Sequence, residues 1–156
     1  MLSITLITIG KIKEPFFQDA FQEYEKRLKP YVRLKVVELT LAPFSKDTKE
    51  KAKAIEGKRI KDFLEKHDQE SGAAAVYLLA ERGRTYDSPA MAAWLEKSSP
   101  LILVIGGALG FSRELYERYP QLSLSSLTFP HEMARVILME QLYRAASILN
   151  GKEYHY

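Results

Sequence analysis

The chain contains no cysteine. That excludes disulfides and thiolate metal sites, and it favours an intracellular protein. Neither sign of charge dominates: 23 basic residues against 20 acidic ones leave a net charge of +3. Such a balance permits a nucleic-acid partner without demanding one. No apolar run is long enough to span a bilayer. The apolar start, MLSITLITIGKIKEP, lacks the basic region and cleavage site of a signal peptide and reads as a strand. There is no repeat of solenoid period and no low-complexity stretch. Glycine is scarce too, with 8 in 156 residues. Three of them, Gly106, Gly107 and Gly110, nevertheless fall together at the end of the apolar run LILVI.

What is present is ordinary for a globular chain: 46% hydrophobic and 28% charged residues. The length predicts a single domain over 1–156. Strands are expected at Ser3 to Ile9, Val32 to Leu39, Ala73 to Ala80, Leu101 to Ile105 and, briefly, Leu122 to Phe129. Helices are expected at Glu14 to Lys29, Asp47 to His67, Ser88 to Lys97, Ser112 to Arg118 and Glu132 to Leu149. Ser88-Pro89 and Ser112 read as helix starts, and Asn150-Gly151 as a helix stop. Interleaved charge in the Asp47 to His67 segment marks a solvated helix face. Strands and helices alternate, so the fold class is α/β, a mostly parallel sheet with helices on both faces. Ligands of such sheets bind beyond the carboxyl ends of strands. Three ends are candidates: Leu79 to Gly83, Gly106 to Gly110, and Leu124 to Pro130.

The glycine turn is not a phosphate loop of a known kind. Phe111, not Gly-Lys-Ser/Thr, follows Gly110, and the G-G-x-x-G pattern comes after a late strand. It suits either a tight turn with no ligand, or a neutral or cationic ligand held by backbone groups. In the second case a side chain at Gly106 would occupy ligand space. The next segment, LSLSSLTFPHEMAR, alternates apolar and hydroxyl residues before Pro130. Such a loop can read an adenine edge through main-chain groups while Leu and Phe cover the ring faces. HEMAR is not HExxH, so no zinc-protease site is present and no metal is expected. His131 reads as a residue at a helix start and His67 as surface. A non-enzymatic RNA-binding factor and a flavodoxin-like nucleotide module remain as other readings of the fold.

VIGGALGFS, LSLSSLTFPHEMARVILMEQLYRAASILNG and the terminal YH resemble the bacterial RlmH family, small SPOUT-class methyltransferases of large-subunit ribosomal RNA. The resemblance runs from ITLITIGKIKE to the last residues. It implies a deep trefoil knot at the C-terminal end, with S-adenosylmethionine bound against the three strand ends. Leu79, Gly106, Leu124, Ser125, Ser126, Leu127, Thr128 and Phe129 match the family's cofactor contacts. His155 matches a catalytic histidine in the tail, while Tyr156 stands where the family usually has a basic residue. The implied reaction is methylation of N3 of a pseudouridine in the helix 69 loop of 23S rRNA, on assembled ribosomes, by a cytoplasmic homodimer. Arg135 and Arg144 match family arginines on the last helix, and the resemblance leaves open which of the two would touch RNA or a partner subunit. The last helix is apolar on several sides (Val136, Ile137, Leu138, Met139, Leu142), which suggests a subunit contact.

Overall fold

A computed structural model describes residues 1–154. Five strands form one parallel sheet: β1 (Leu2–Ile9), β2 (Val32–Leu39), β3 (Ala75–Arg84), β4 (Leu101–Ile105) and β5 (Gln121–Leu122), in the order β2-β1-β4-β3-β5. The helices are α1 (Pro15–Leu28), α2 (Lys49–Ser71), α3 (Ser88–Ser98), α4 (Arg113–Arg118) and α5 (His131–Leu149). β4 is central and wholly buried, as an uninterrupted apolar strand of a parallel sheet should be. Alternate side chains supply the two faces. Ile4, Leu6, Leu101, Leu103 and Ile105 join Phe21, Leu95, Leu138 and Met139, from α1, α3 and α5. Ile7, Ile9, Leu78, Ile102 and Val104 join Ile60, Leu64, Phe111 and Leu115 on the α2 and α4 side.

The elements depart from the sequence reading in a few places, each with a local cause. Asp87, not Ser88, caps α3: its carboxylate accepts the Ala90 N–H at 2.8 Å. β3 continues four residues past Ala80 into the polar stretch ERGR. The sheet edge carries that extension, since Leu79 and Arg84 both pair with Leu122 around an irregularity. β5 is only two residues long, because hydroxyls take over the backbone after it. Ser123 donates its N–H to the Arg84 carbonyl at 2.9 Å. Its Oγ is shared between the carbonyls of Glu81 and Ser125, at 3.0 and 2.9 Å. Ser125 Oγ then accepts the Leu127 N–H at 3.0 Å. Side-chain bonds of this kind compete with a ladder and stop it.

The last helix also needs correction. Leu138, Met139 and Leu142 are fully enclosed in this chain's own core, between α1, α3 and the sheet. A second subunit cannot touch Leu142, and a charge placed there would unfold the monomer rather than split a dimer. Arg135 is likewise internal, at 1% exposure. It donates to the carbonyls of Ile9 and Gly10 at 2.6 and 3.1 Å, closing the end of β1. Burial pulls its guanidinium below its usual range, with Glu38 and Glu132 acting against that. Glu132, next to it, accepts the N–H groups of Lys13 and Glu14 at 2.9 and 3.1 Å. Burial pushes this carboxyl up, but those two N–H groups, with His131 and Arg135, hold it below its ordinary value. The start of α1 and the start of α5 are thereby tied together.

α5 stops at Asn150, followed by Gly151 at φ +65°. The chain does not run straight on. Tyr154 packs edge-on to Tyr143 (4.6 Å between ring centroids), lies 5.1 Å from the Arg144 guanidinium carbon and donates to Glu140 at 3.3 Å. Burial, Tyr24 and Glu140 push its hydroxyl up to about 12. Arg144 also pairs with Glu140 at 2.6 Å. The root of the tail is therefore seated on the flank of α5.

Candidate active site

A cleft of about 340 Å³ opens beyond the carboxyl ends of β3 and β4, within the size range of small-molecule sites. One wall is the end of β3, with Leu79, Ala80 and Glu81. The floor is the glycine turn, Ile105 to Ala108 with Gly110 and Phe111. The opposite wall is the loop after β5 with the start of α5: Leu124, Ser125, Leu127, Thr128, Phe129, Pro130 and His131. Of the residues expected from sequence, Leu79, Gly106, Leu124, Ser125, Leu127, Thr128 and Phe129 are brought together here. Ser126 does not line the cleft, and His155 lies outside the described residues. Leu79 is both wall and core. Leu127 is not core at all: at 68% exposure it stands at the rim.

The crowding of glycines has three separate causes. A Cβ at Gly106 would stand 3.2 Å from two carbons of the Phe111 ring. A Cβ at Gly107 would stand 3.0 Å from Glu56 Oε1. Gly110 sits at φ +75°, where it bridges back to Gly107 through a 3.1 Å N–H to carbonyl bond. Phe111, buried in the α2-side core, meets Tyr116 edge-on at 5.5 Å. The obstacle at Gly106 is thus the protein's own ring before it is any ligand. Gly106→Val should push Phe111 out of place, costing roughly 1–3 kcal/mol of stability by overpacking. It should also deform the cleft floor. Thermal melting and cofactor calorimetry on the same variant check this: both should fall, and an unchanged melt would contradict the packing described here.

Glu81 lines the cleft as well, within the expected strand end Leu79 to Gly83, and so do Tyr116, Ala134 and His131, which were not assigned to it from the sequence. His131 carried a signal, its place right after Pro130; Tyr116 and Ala134, inside helices, carried none. Among the described residues no Lys or Arg lines the cleft, and Glu81 is its acidic side chain. A phosphate would meet no Lys or Arg here and would face Glu81, which counts against a flavodoxin-like site. A flat heterocycle with a positive charge fits better: Leu79, Leu124 and Phe129 offer apolar cover, Ser125, Thr128 and Tyr116 offer hydroxyls, and Glu81 offers a negative charge. Among the described residues no His, Asp and Glu group could hold a metal ion.

Solved structures share this architecture. One, described as "Structural insights into the 2-OH methylation of C/U34 on tRNA", matches with a TM-score of 0.52 at 15% identity, covering 97% of this chain and 99% of the other. A probable methylase family protein from Haemophilus influenzae matches with a TM-score of 0.54 at 13% identity, over 98% of this chain and 70% of that one. At such identities the likeness establishes the fold alone, a parallel α/β sheet with helices on both faces. Sequence gives the family. Residues 2–155 match the model described as "Predicted SPOUT methyltransferase", and the chain belongs to that family. Proteins named "Ribosomal RNA large subunit methyltransferase H" are 41% identical in Bifidobacterium adolescentis (99% of each chain) and 37% identical in Pelobacter propionicus (99% of this chain, 100% of the relative).

Proposed function

We propose that this protein methylates large-subunit ribosomal RNA with S-adenosylmethionine as donor, and that its target is N3 of a pseudouridine in the helix 69 loop on assembled ribosomes. The observation that carries this is the cleft itself, a phosphate-unfriendly pocket at three strand ends, in a chain whose full length matches relatives of that name. When bound, S-adenosylmethionine supplies an electrophilic methyl group on a positively charged sulfur. Leu79, Leu124, Leu127 and Phe129 cover the adenine. Gly106 lets the ligand lie against the main chain, and Ser125 and Thr128 stand at hydrogen-bonding positions around it. The C-terminal knot belongs to the same reading; the glycine turn and the 123–130 loop facing each other across one cleft support it.

N3 is a weak nucleophile until its proton is lost, and a histidine with a pKa near 6.5 suits that task. His155 is the candidate, in a cytoplasmic homodimer. Support for the dimer comes from where the tail is rooted. Tyr154 is held at Glu140, nine residues along α5 from His131, or roughly 13 Å at the helical rise. His155 follows immediately, so a second copy's cleft is a better match for it than its own. The test is tritium transfer from labelled S-adenosylmethionine to purified ribosomes lacking the modification, with sedimentation on the same preparation. Incorporation at one pseudouridine and a dimer at micromolar concentration are expected. Cofactor binding without any incorporation would instead favour a non-enzymatic ribosome-binding factor.

A further inference from the structure

Glu56 takes no part in the chemistry described so far, yet it is an enclosed acid. It lies midway along α2 at 3% exposure. Oε2 accepts the Ala42 N–H at 3.1 Å. Oε1 takes no hydrogen bond from a described residue, and no Lys, Arg or His among them pairs with the carboxylate. The charged neighbours on the same helix, Lys53, Lys58 and Lys61, pair elsewhere, with Glu50, Asp62 and Glu114. An acidic side chain this enclosed is uncommon in a helix that otherwise faces solvent with its charges.

The carboxylate faces the back of the cleft floor. A Cβ on Gly107 would stand 3.0 Å from Oε1 and 3.5 Å from Oε2. Gly107 lines the cleft, while Glu56 does not. One glycine backbone therefore separates the carboxylate from the ligand space, and the missing Cβ is what lets it come so near. Across a single backbone, an attraction between opposite charges is stronger than between groups held apart at the surface.

We propose that Glu56 is a buried counter-charge, read through Gly107, that makes the cleft prefer a cationic occupant over its neutral counterpart. The inference rests on the S-adenosylmethionine reading above. In the transfer the methyl carbon leaves sulfur and bonds to N3. The bonding pair stays on sulfur, the N3 proton goes to the base, and S-adenosylhomocysteine remains as a neutral thioether. Glu56 then loses its partner after every turnover, which favours exchange of spent product for fresh donor. It acts as a specificity-determining residue that touches no reacting atom.

Calorimetry with S-adenosylmethionine and S-adenosylhomocysteine tests this on the wild type, Glu56→Gln and Glu56→Asp. The wild type should bind both. Glu56→Gln keeps shape and should lower the donor-to-product affinity ratio roughly tenfold, chiefly through the donor. Glu56→Asp keeps charge and should keep the ratio, even where both affinities drop. Equal losses for both ligands in Glu56→Gln would reduce the residue to a clamp on Ala42 and overturn the inference. If Glu56→Gln does not fold by circular dichroism, Gly107→Ala decides, because its Cβ drives the carboxylate away: a lowered ratio supports the inference and an unchanged one overturns it. A wild type that binds neither ligand overturns the cofactor reading and this inference with it.

Discussion

Gly83→Ala should lower both the melting temperature and the affinity for S-adenosylmethionine. A Cβ at Gly83 would stand 2.7 Å from the Gln121 carbonyl carbon, and 2.8 Å from both the Gln121 oxygen and the Leu122 carbonyl carbon. These are backbone atoms of the paired edge strand, so no flexible side chain can yield. Either β5 lifts off or the 80–83 bulge shifts, and the second moves Ala80 and Glu81 in the cleft wall. A cost of about 1–3 kcal/mol is expected, or roughly 2–4 °C of melting temperature for each kcal/mol at this length. Gly72→Ala is the control. Nothing lies within 4 Å of its Cβ, and only its φ of +82° resists a side chain. That variant should lose about 1–2 kcal/mol with no change in cofactor affinity. An undisturbed Gly83→Ala variant would mean that β3 and β5 are not held as described.

His155→Ala should reduce methyl transfer to ribosomes by roughly 10²- to 10⁴-fold, the usual worth of a general base. The loss should appear in turnover, with cofactor affinity and the folded core intact, because the residue follows the α5 stop signal. The pH profile separates a base from a packing role. With histidine in place the rate should rise through the region near pH 6.5 as the imidazole becomes neutral, and that limb should vanish in the variant. Tyr156→Phe should cost far less. Full activity in His155→Ala would remove that side chain from the mechanism and pass the base role to His131 or to the RNA. His131 would then gain interest, since it lines the cleft.

The alternation of strands and helices was legible because each element carried its own periodicity. Val32–Leu39 and Leu101–Ile105 have the expected bounds, and the walls of the cleft follow from strand ends in a parallel sheet. What was not legible is long-range. The polar stretch ERGR continues a strand only because β5 offers it an edge, and nothing within ERGR says so. LSLSSLTF alternates like a strand, but the Ser123 hydroxyl bonds the carbonyls of Glu81 and Ser125 and breaks the ladder. Leu142 looked like a surplus apolar position, since a helix lying between two helices and a sheet needs more than one apolar stripe. Arg135 and Glu56 are charged residues on helices that also present charged residues to solvent. Their enclosure depends on partners at Ile9, Gly10, Ala42 and Gly107, which the chain brings near only after folding.

The strand order has a consequence for how the chain is made. β1 sits beside β4, with Ile4 opposite Leu101, so its partner on that side is about 100 residues away along the chain, and pairings so remote in sequence form slowly. β2 can cover one edge of β1 early, but the other edge stays open until β4 has been synthesised. At about 5–20 residues per second that wait is roughly 5–20 s. During it the segment LSITLITI offers an apolar, uncharged, unpaired edge, the kind that invites contact with other chains. Lys11 and Lys13 follow soon after that segment, and positive charges flanking an apolar strand discourage such association. A nascent chain of this protein therefore holds β1 with one edge open until β4 arrives.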